Sequence, residues 1–168
     1  MEEAMAEARI LVVDDDEVAL KSLCRVLSKR GHHAVAAKNA ATAIRLLERS
    51  SFDLVISDLV MEDMDGLELL STVKHRWPDI EVILVTGFAS IPTAIDATKL
   101  GAYHYLEKPI KLEELELYVR GACEKKQLTR ENQDLRDGWA HQNQPPRFVG
   151  NSGASATTAE VCVSSALP

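Results

Sequence analysis

Five short apolar runs, separated by segments with helical spacing, constrain this chain more than any other feature. They are Ile10–Val13, Ala34–Ala37, Leu54–Ile56, Val82–Val85 and Ala102–Leu106. A strand that is apolar throughout, without a polar alternate, is one covered on both faces. Between the runs, Leu20, Leu23, Cys24 and Leu27 recur at i, i+3, i+4 and i+7, and so do Ala40, Ala43, Ile44 and Leu47. Each set gives a helix one apolar face. Gly31 after Lys29-Arg30 is a helix stop. Asp65-Gly66 is a turn and cap before a helix from Leu67 to about Arg76. Ser90 caps a fourth helix with Pro92 in its first turn, and Gly101 closes it. Leu112, Leu115 and Val119 open a fifth. Strands alternating with helices predict an α/β fold, a doubly wound five-stranded parallel sheet with five helices. Its connections are right-handed crossovers.

In open sheets of this kind ligands bind outside the carboxyl ends of the strands, and that edge collects the chemistry. The first strand ends in Asp14-Asp15, the third in Asp58 and the fourth in Thr86, while Lys108-Pro109 follows the fifth. Converging carboxylates repel one another unless protons or a cation neutralise them. Their hard oxygens suit Mg2+, which takes one or two carboxylates and keeps several waters. A lysine ammonium supplies a second positive charge for phosphoryl oxygens, and a carboxylate so held is a nucleophile towards phosphorus. Singly these residues read as a solvated loop, a turn, a strand cap and a surface amine. Together, in order along one edge, they read as a phosphoryl-accepting site. Asp16 and Glu17 read as the acidic start of the first helix.

Composition narrows the class of partner. With 19 Lys and Arg against 26 Asp and Glu, the 168-residue chain carries −7. A net-acidic chain without a basic run lacks the electrostatic footprint for nucleic acid or for an anionic membrane surface. Cys24, Cys123 and Cys162 have neither disulfide-framework nor metal-ligand spacing. The opening Met-Glu-Glu-Ala-Met-Ala-Glu is acidic where a signal peptide is basic. No apolar run approaches the ~20 residues that span a bilayer. The expected location is therefore the cytoplasm. His32, His33, His75, His104 and His141 lack metal spacing and are expected at the surface, and Trp77 is expected to pack.

Residues 9–122 resemble the receiver domain of bacterial two-component response regulators. The resemblance lies in Ile10-Leu11-Val12-Val13-Asp14-Asp15, Ser57-Asp58, Met61, Met64-Asp65-Gly66, Val85-Thr86-Gly87, Gly101-Ala102, Tyr105 and Lys108-Pro109. It implies the flavodoxin-like strand order 2-1-3-4-5. It also implies a set of roles. Asp58 is the phosphoacceptor, Asp15 a direct Mg2+ ligand, Asp14 a ligand through water, and the Val60 backbone carbonyl completes the metal site. Lys108 pairs with the acceptor, Thr86 and Tyr105 form the switch pair, and Lys108-Pro109 is a candidate cis bond. The implied partner is a sensor histidine kinase, and the change relays through the face made by the fourth helix, fifth strand and fifth helix. One departure stands out: many relatives have Met-Pro where Met61 is followed by Glu62-Asp63.

Beyond the domain, Leu128, Asn132, Leu135 and Trp139 follow a 4-3-4 spacing. It reads as a coiled-coil seam with Asn132 setting register, or as a solvated helical extension. Arg147 to Ser152 resembles the opening of the ATPase domain of enhancer-binding, nitrogen-regulator-type activators. No G-x-x-x-x-G-K-[ST] loop or helix-turn-helix follows, so the ATPase and DNA-binding domains are expected to be missing. The expected organisation is a flexible 1–8, a receiver at 9–122, a helical linker at 123–139 and a disordered 140–168. Homodimerisation through the output face or the linker is a candidate. The alternatives are an aspartyl-phosphate phosphatase or a non-catalytic dimerisation and interaction module. A haloacid-dehalogenase-type phosphatase carries a second Asp two residues after its nucleophile, and Val60 stands there.

Overall fold

The computed structural model describes residues 7–142. Five strands and five helices alternate: β1 (Arg9–Val13), α1 (Glu17–Lys29), β2 (His33–Ala37), α2 (Ala40–Arg49), β3 (Leu54–Asp58), α3 (Gly66–Arg76), β4 (Glu81–Thr86), α4 (Ile91–Lys99), β5 (His104–Glu107) and α5 (Leu112–Gln142). All strand pairs are parallel and the order is β2-β1-β3-β4-β5, as the sequence implied.

The core divides across the sheet because successive strand residues point to opposite faces. Leu11, Val13, Val55, Val82 and Leu84 pack under Ala40, Ala43 and Leu47 of α2, Leu69, Leu70 and Val73 of α3, and Ala97 of α4. Ile10, Val12, Leu54, Ile56, Ile83 and Val85 pack under Leu20 and Leu27 of α1 and Leu115, Val119 and Ala122 of α5. β4 is therefore buried throughout, while β2 at the edge mixes exposed and half-buried residues until Ala37. Trp77 packs against the first of these clusters, as expected.

Local chemistry sets the helix ends. Asp16, Asn39, Asp65 and Ser90 each accept a backbone N–H as N-caps. Asp65 and Glu68 complete a capping box, so α3 starts at Gly66 rather than at Leu67. β5 starts two residues later than the apolar run. Gly101, at φ +98°, closes α4, and Ala102 turns its N–H back to the Ala97 carbonyl. The chain therefore first bonds to β4 at Tyr103, whose N–H donates to Val82 at 2.7 Å.

Two histidines depart from the expected surface placement. His32, directly after the Gly31 turn, is buried and bonds its N–H to Leu27, and burial lowers its pKa. His104 stacks on Tyr118 with ring centroids 3.7 Å apart. Among the described residues neither joins a metal-ligating group.

Of the residues expected to be flexible at the start, 1–6 lie outside the described region. Ala8 is buried, and its carbonyl accepts from His33. Residues through Arg130 form one compact unit around the sheet. The segment from Glu131 is a second unit, described as helix as far as Gln142. The rest of the expected disordered tail, 143–168, lies outside the described residues. No helix among the described residues is long and apolar enough to cross a membrane.

Candidate phosphoacceptor site

Asp14 extends the β1–β2 ladder by one bond, its N–H donating to Ala37 at 3.2 Å, so the residue is buried at the sheet edge. Its Oδ1 accepts the Asp16 N–H at 2.9 Å, which turns the chain towards α1. Asp15 is left exposed in that turn. Asp58 is the last residue of β3, where the ladder partner is Val85. Asp14, Asp15 and Asp58 each offer a carboxylate oxygen within 4.8 Å of the others.

Lys108 comes from the far side of the sheet. Its N–H donates to Thr86 at 2.7 Å, which fixes its backbone against the end of β4. Its Nζ then reaches Asp14 Oδ2 at 3.2 Å and Asp58 Oδ2 at 3.4 Å. The Lys108–Pro109 peptide is cis.

Electrostatics explain why this cluster is unfinished. Burial raises the Asp58 pKa; Lys108 opposes that rise and the nearby Asp14 adds to it. Burial also works against the Lys108 ammonium, but the hydrogen bond and charge of Asp14, followed by those of Asp58, outweigh it and raise the pKa. Counted formally, three carboxylates against one ammonium leave the cluster two charges negative. That deficit matches one divalent cation, and an all-oxygen donor set is what Mg2+ takes. The residues present therefore fit the metal.

Thr86 ends β4 fully buried, and its Oγ1 accepts the Phe88 N–H at 3.1 Å. Tyr105 pairs in register with Leu84, two residues before Thr86, so the two predicted switch residues share one face. The Tyr105 hydroxyl is buried, with no hydrogen-bond partner among the described residues. Val60 and Phe88 stand exposed at the rim, at 65% and 87%. The Val60 N–H donates to Asp58 Oδ1 at 3.4 Å.

Three residues that the sequence names without a role at the site make contacts beside the acceptor. Asp63, in the Glu62-Asp63 departure, accepts the Ala41 N–H at 3.3 Å at the start of α2. Ser57 donates its hydroxyl to the Asp58 carbonyl at 2.9 Å. Gly66 packs directly on the acceptor backbone. Only Gly66 left a sequence signal, since a glycine inside a helix's first turn costs about 1 kcal/mol against alanine and so needs a packing reason.

An open parallel sheet with three carboxylates, a threonine and a lysine at one edge defines a flavodoxin-like α/β protein with an acidic cluster at the carboxyl ends of its strands. The chain belongs to the response regulator receiver family: the family model described as the response regulator receiver domain matches residues 10–120. An NtrX-like response regulator of Rickettsia bellii is 35% identical over 145 residues, which is 85% of this chain and 30% of that protein. A crystal structure of a receiver domain protein from Clostridium thermocellum superposes with a TM-score of 0.70 at 31% identity, over 73% of this chain and 98% of that one. The beryllofluoride-activated NtrC4 receiver domain dimer gives 0.68 at 37% identity, over 70% and 98%. The chain is homologous to the receivers of NtrX- and NtrC-type regulators and covers only that part of the longer relatives, spanning under a third of their length.

Proposed function

We propose that the chain is a phosphorylation-dependent switch with Asp58 as its acceptor. The observation that carries this is the Lys108 ammonium between Asp14 and Asp58 in a cluster that remains two charges negative. An Asp58 carboxylate oxygen attacks the phosphorus of a phosphohistidine on a sensor kinase. The new O–P bond replaces the donor's N–P bond, and the freed imidazole nitrogen takes a proton. Lys108 holds Asp58 in place and offers its ammonium to the phosphoryl oxygens. Asp15, Asp58 and the Val60 carbonyl, with Asp14 through water, would hold Mg2+, which would supply charge neutralisation for the same oxygens. Receiver domains are signalling domains rather than classical enzymes. An apolar Val60 two residues after the acceptor offers no acid or base for turning over external substrates.

The threonine hydroxyl can donate to an incoming phosphoryl oxygen. That draws Thr86 towards the site, opens room on the face it shares with Tyr105, and gives the switch two states to choose between. The output face carries exposed Ile91 and Ile95 of α4 and Leu117 of α5. This face, or separately the linker helix, is what we assign to homodimerisation. The dimeric NtrC4 receiver supports that reading. We place this switch in the cytoplasm, with no direct contact to nucleic acid or membrane.

The test is incubation with acetyl phosphate and Mg2+, followed by a phosphate-affinity gel. Wild type shifts, and Asp58→Asn does not while keeping its circular dichroism spectrum. Full labelling of Asp58→Asn would mean that another residue accepts the phosphoryl group.

A further inference from the structure

Gly66 occupies the first position of α3, directly after the N-cap Asp65. Its φ is not in the left-handed region, which among the described glycines holds only Gly31 and Gly101. The requirement is spatial. A Cβ at Gly66 would lie 2.6 Å from the Asp58 carbonyl oxygen, 2.8 Å from Leu59 Cα and 3.2 Å from the Asp58 carbonyl carbon. All three are backbone atoms, so no rotamer change relieves the clash. The Gly66 N–H also donates to the Leu59 carbonyl at 2.7 Å. On its other side the Asp58 carbonyl accepts the hydroxyl of Ser57, which is fully buried. The acceptor's backbone is thus seated between a buried hydroxyl and the bare first turn of α3. By contrast, a Cβ at Gly87, also beside the site, would meet nothing within 4 Å.

We propose that Gly66 and Ser57 are positioning residues for the phosphoacceptor. They hold the Asp58–Leu59 backbone so that the Asp58 carboxylate and the Val60 carbonyl face the same cation. The inference rests on the reading of Asp58 as acceptor in a Mg2+ site. A side chain at 66 must push the β3–α3 connection aside, and displacements on the scale of an ångström can cost orders of magnitude in a preorganised site. Neither residue touches the metal or the phosphoryl group, so both act through the backbone that carries the ligands.

The experiment is Mg2+ titration by calorimetry on the full chain, beside acetyl phosphate labelling. It compares wild type, Gly66→Ala, Ser57→Ala and Val73→Ala. Val73 is buried in the same helix and takes no part in the site. Gly66→Ala is expected to weaken Mg2+ binding by at least about tenfold and to slow labelling at least as much. Ser57→Ala moves both in the same direction by less. Val73→Ala lowers the melting temperature but leaves Mg2+ affinity within about twofold, because a distant cavity affects stability rather than aim. Wild-type affinity in both Gly66→Ala and Ser57→Ala overturns the proposal. So does an equal loss in Val73→Ala, which makes the effect one of stability. If Gly66→Ala does not fold, Ser57→Ala, which adds no atom, decides alone. A wild-type chain that binds no Mg2+ overturns the acceptor reading itself and the inference with it.

Discussion

The two edges of one sheet use the same residue types to opposite ends. At the amino edge Asp53 receives the Arg9 N–H at 2.8 Å and Lys126 at 3.2 Å, and Lys126 also donates to the Phe52 carbonyl at 2.6 Å. Glu81, buried at the start of β4, lies 3.4 Å from Lys74 of α3 and 3.2 Å from Lys125 of α5. Each acid there has its cation within the chain. At the carboxyl edge three acids lie together, and one lysine reaches only two of them, Asp14 and Asp58. A carboxylate balanced within the chain fastens elements together. A carboxylate left unbalanced near others waits for something from outside.

The sharpest way to break this contrast is to remove one acid from each edge. Asp15→Ala is expected to abolish Mg2+ affinity and acetyl phosphate labelling together, whereas Asp53→Ala leaves labelling at the wild-type rate. Mg2+-dependent labelling that persists in Asp15→Ala would show that another acid holds the metal. Next in size is Lys126→Met, which strips a charged donor from Asp53 and from the Phe52 carbonyl. It should cost about 1–3 kcal/mol in urea unfolding without changing the labelling rate. A parallel fall in labelling would mean that the two edges are coupled.

A third comparison lies within the carboxyl edge. Hydrolysis of the phosphorylated acceptor needs an in-line water, and Val60 and Phe88 at the rim have no side-chain group to hold one. Val60→Asn and Phe88→Glu should each shorten the lifetime by about tenfold, or ~1.4 kcal/mol of barrier. The readout is decay after donor removal, and an unchanged double mutant would acquit both positions.

The smallest expected effect concerns stability. The Asp58 pKa is raised in the folded state, so its ionised form opposes folding, and Asn mimics the protonated form. Asp58→Asn should raise the melting temperature modestly in metal-free buffer at neutral pH. The gain should vanish as pH falls through the raised folded value to the ordinary carboxylate range. A gain that grows on acidification reverses the sign of the argument.

What could be read from the sequence follows burial. β1, β3 and β4 are covered on both faces and so are written as uninterrupted apolar runs, and the polar residues that end them mark the site. The start of β5 differs from the apolar run because Ala102 and Tyr103 look like strand while the Gly101 turn still holds Ala102 to α4. The approach of Lys108 to Asp14, across 94 positions, comes from topology, and only the motif as a whole could suggest it. The contact of Ser57 left no trace because it is made to a backbone atom, which has no letter in a sequence, and Gly66 signalled a packing need without saying against what. His32 stayed silent because a histidine beside a glycine turn gives no sign of which way it will face.

The bond from the Phe88 N–H to the Thr86 hydroxyl joins a fully buried residue of the proposed switch pair to the backbone of the residue with the most exposed large apolar side chain among the described residues. Thermodynamic linkage makes such a joint run both ways. If phosphorylation at one end changes the affinity of a partner that covers Phe88 by some factor, that partner changes the equilibrium for phosphorylation by the same factor. A listener seated on this phenylalanine is therefore also a voice in how readily the aspartate is charged, and the output of the domain becomes one of its inputs.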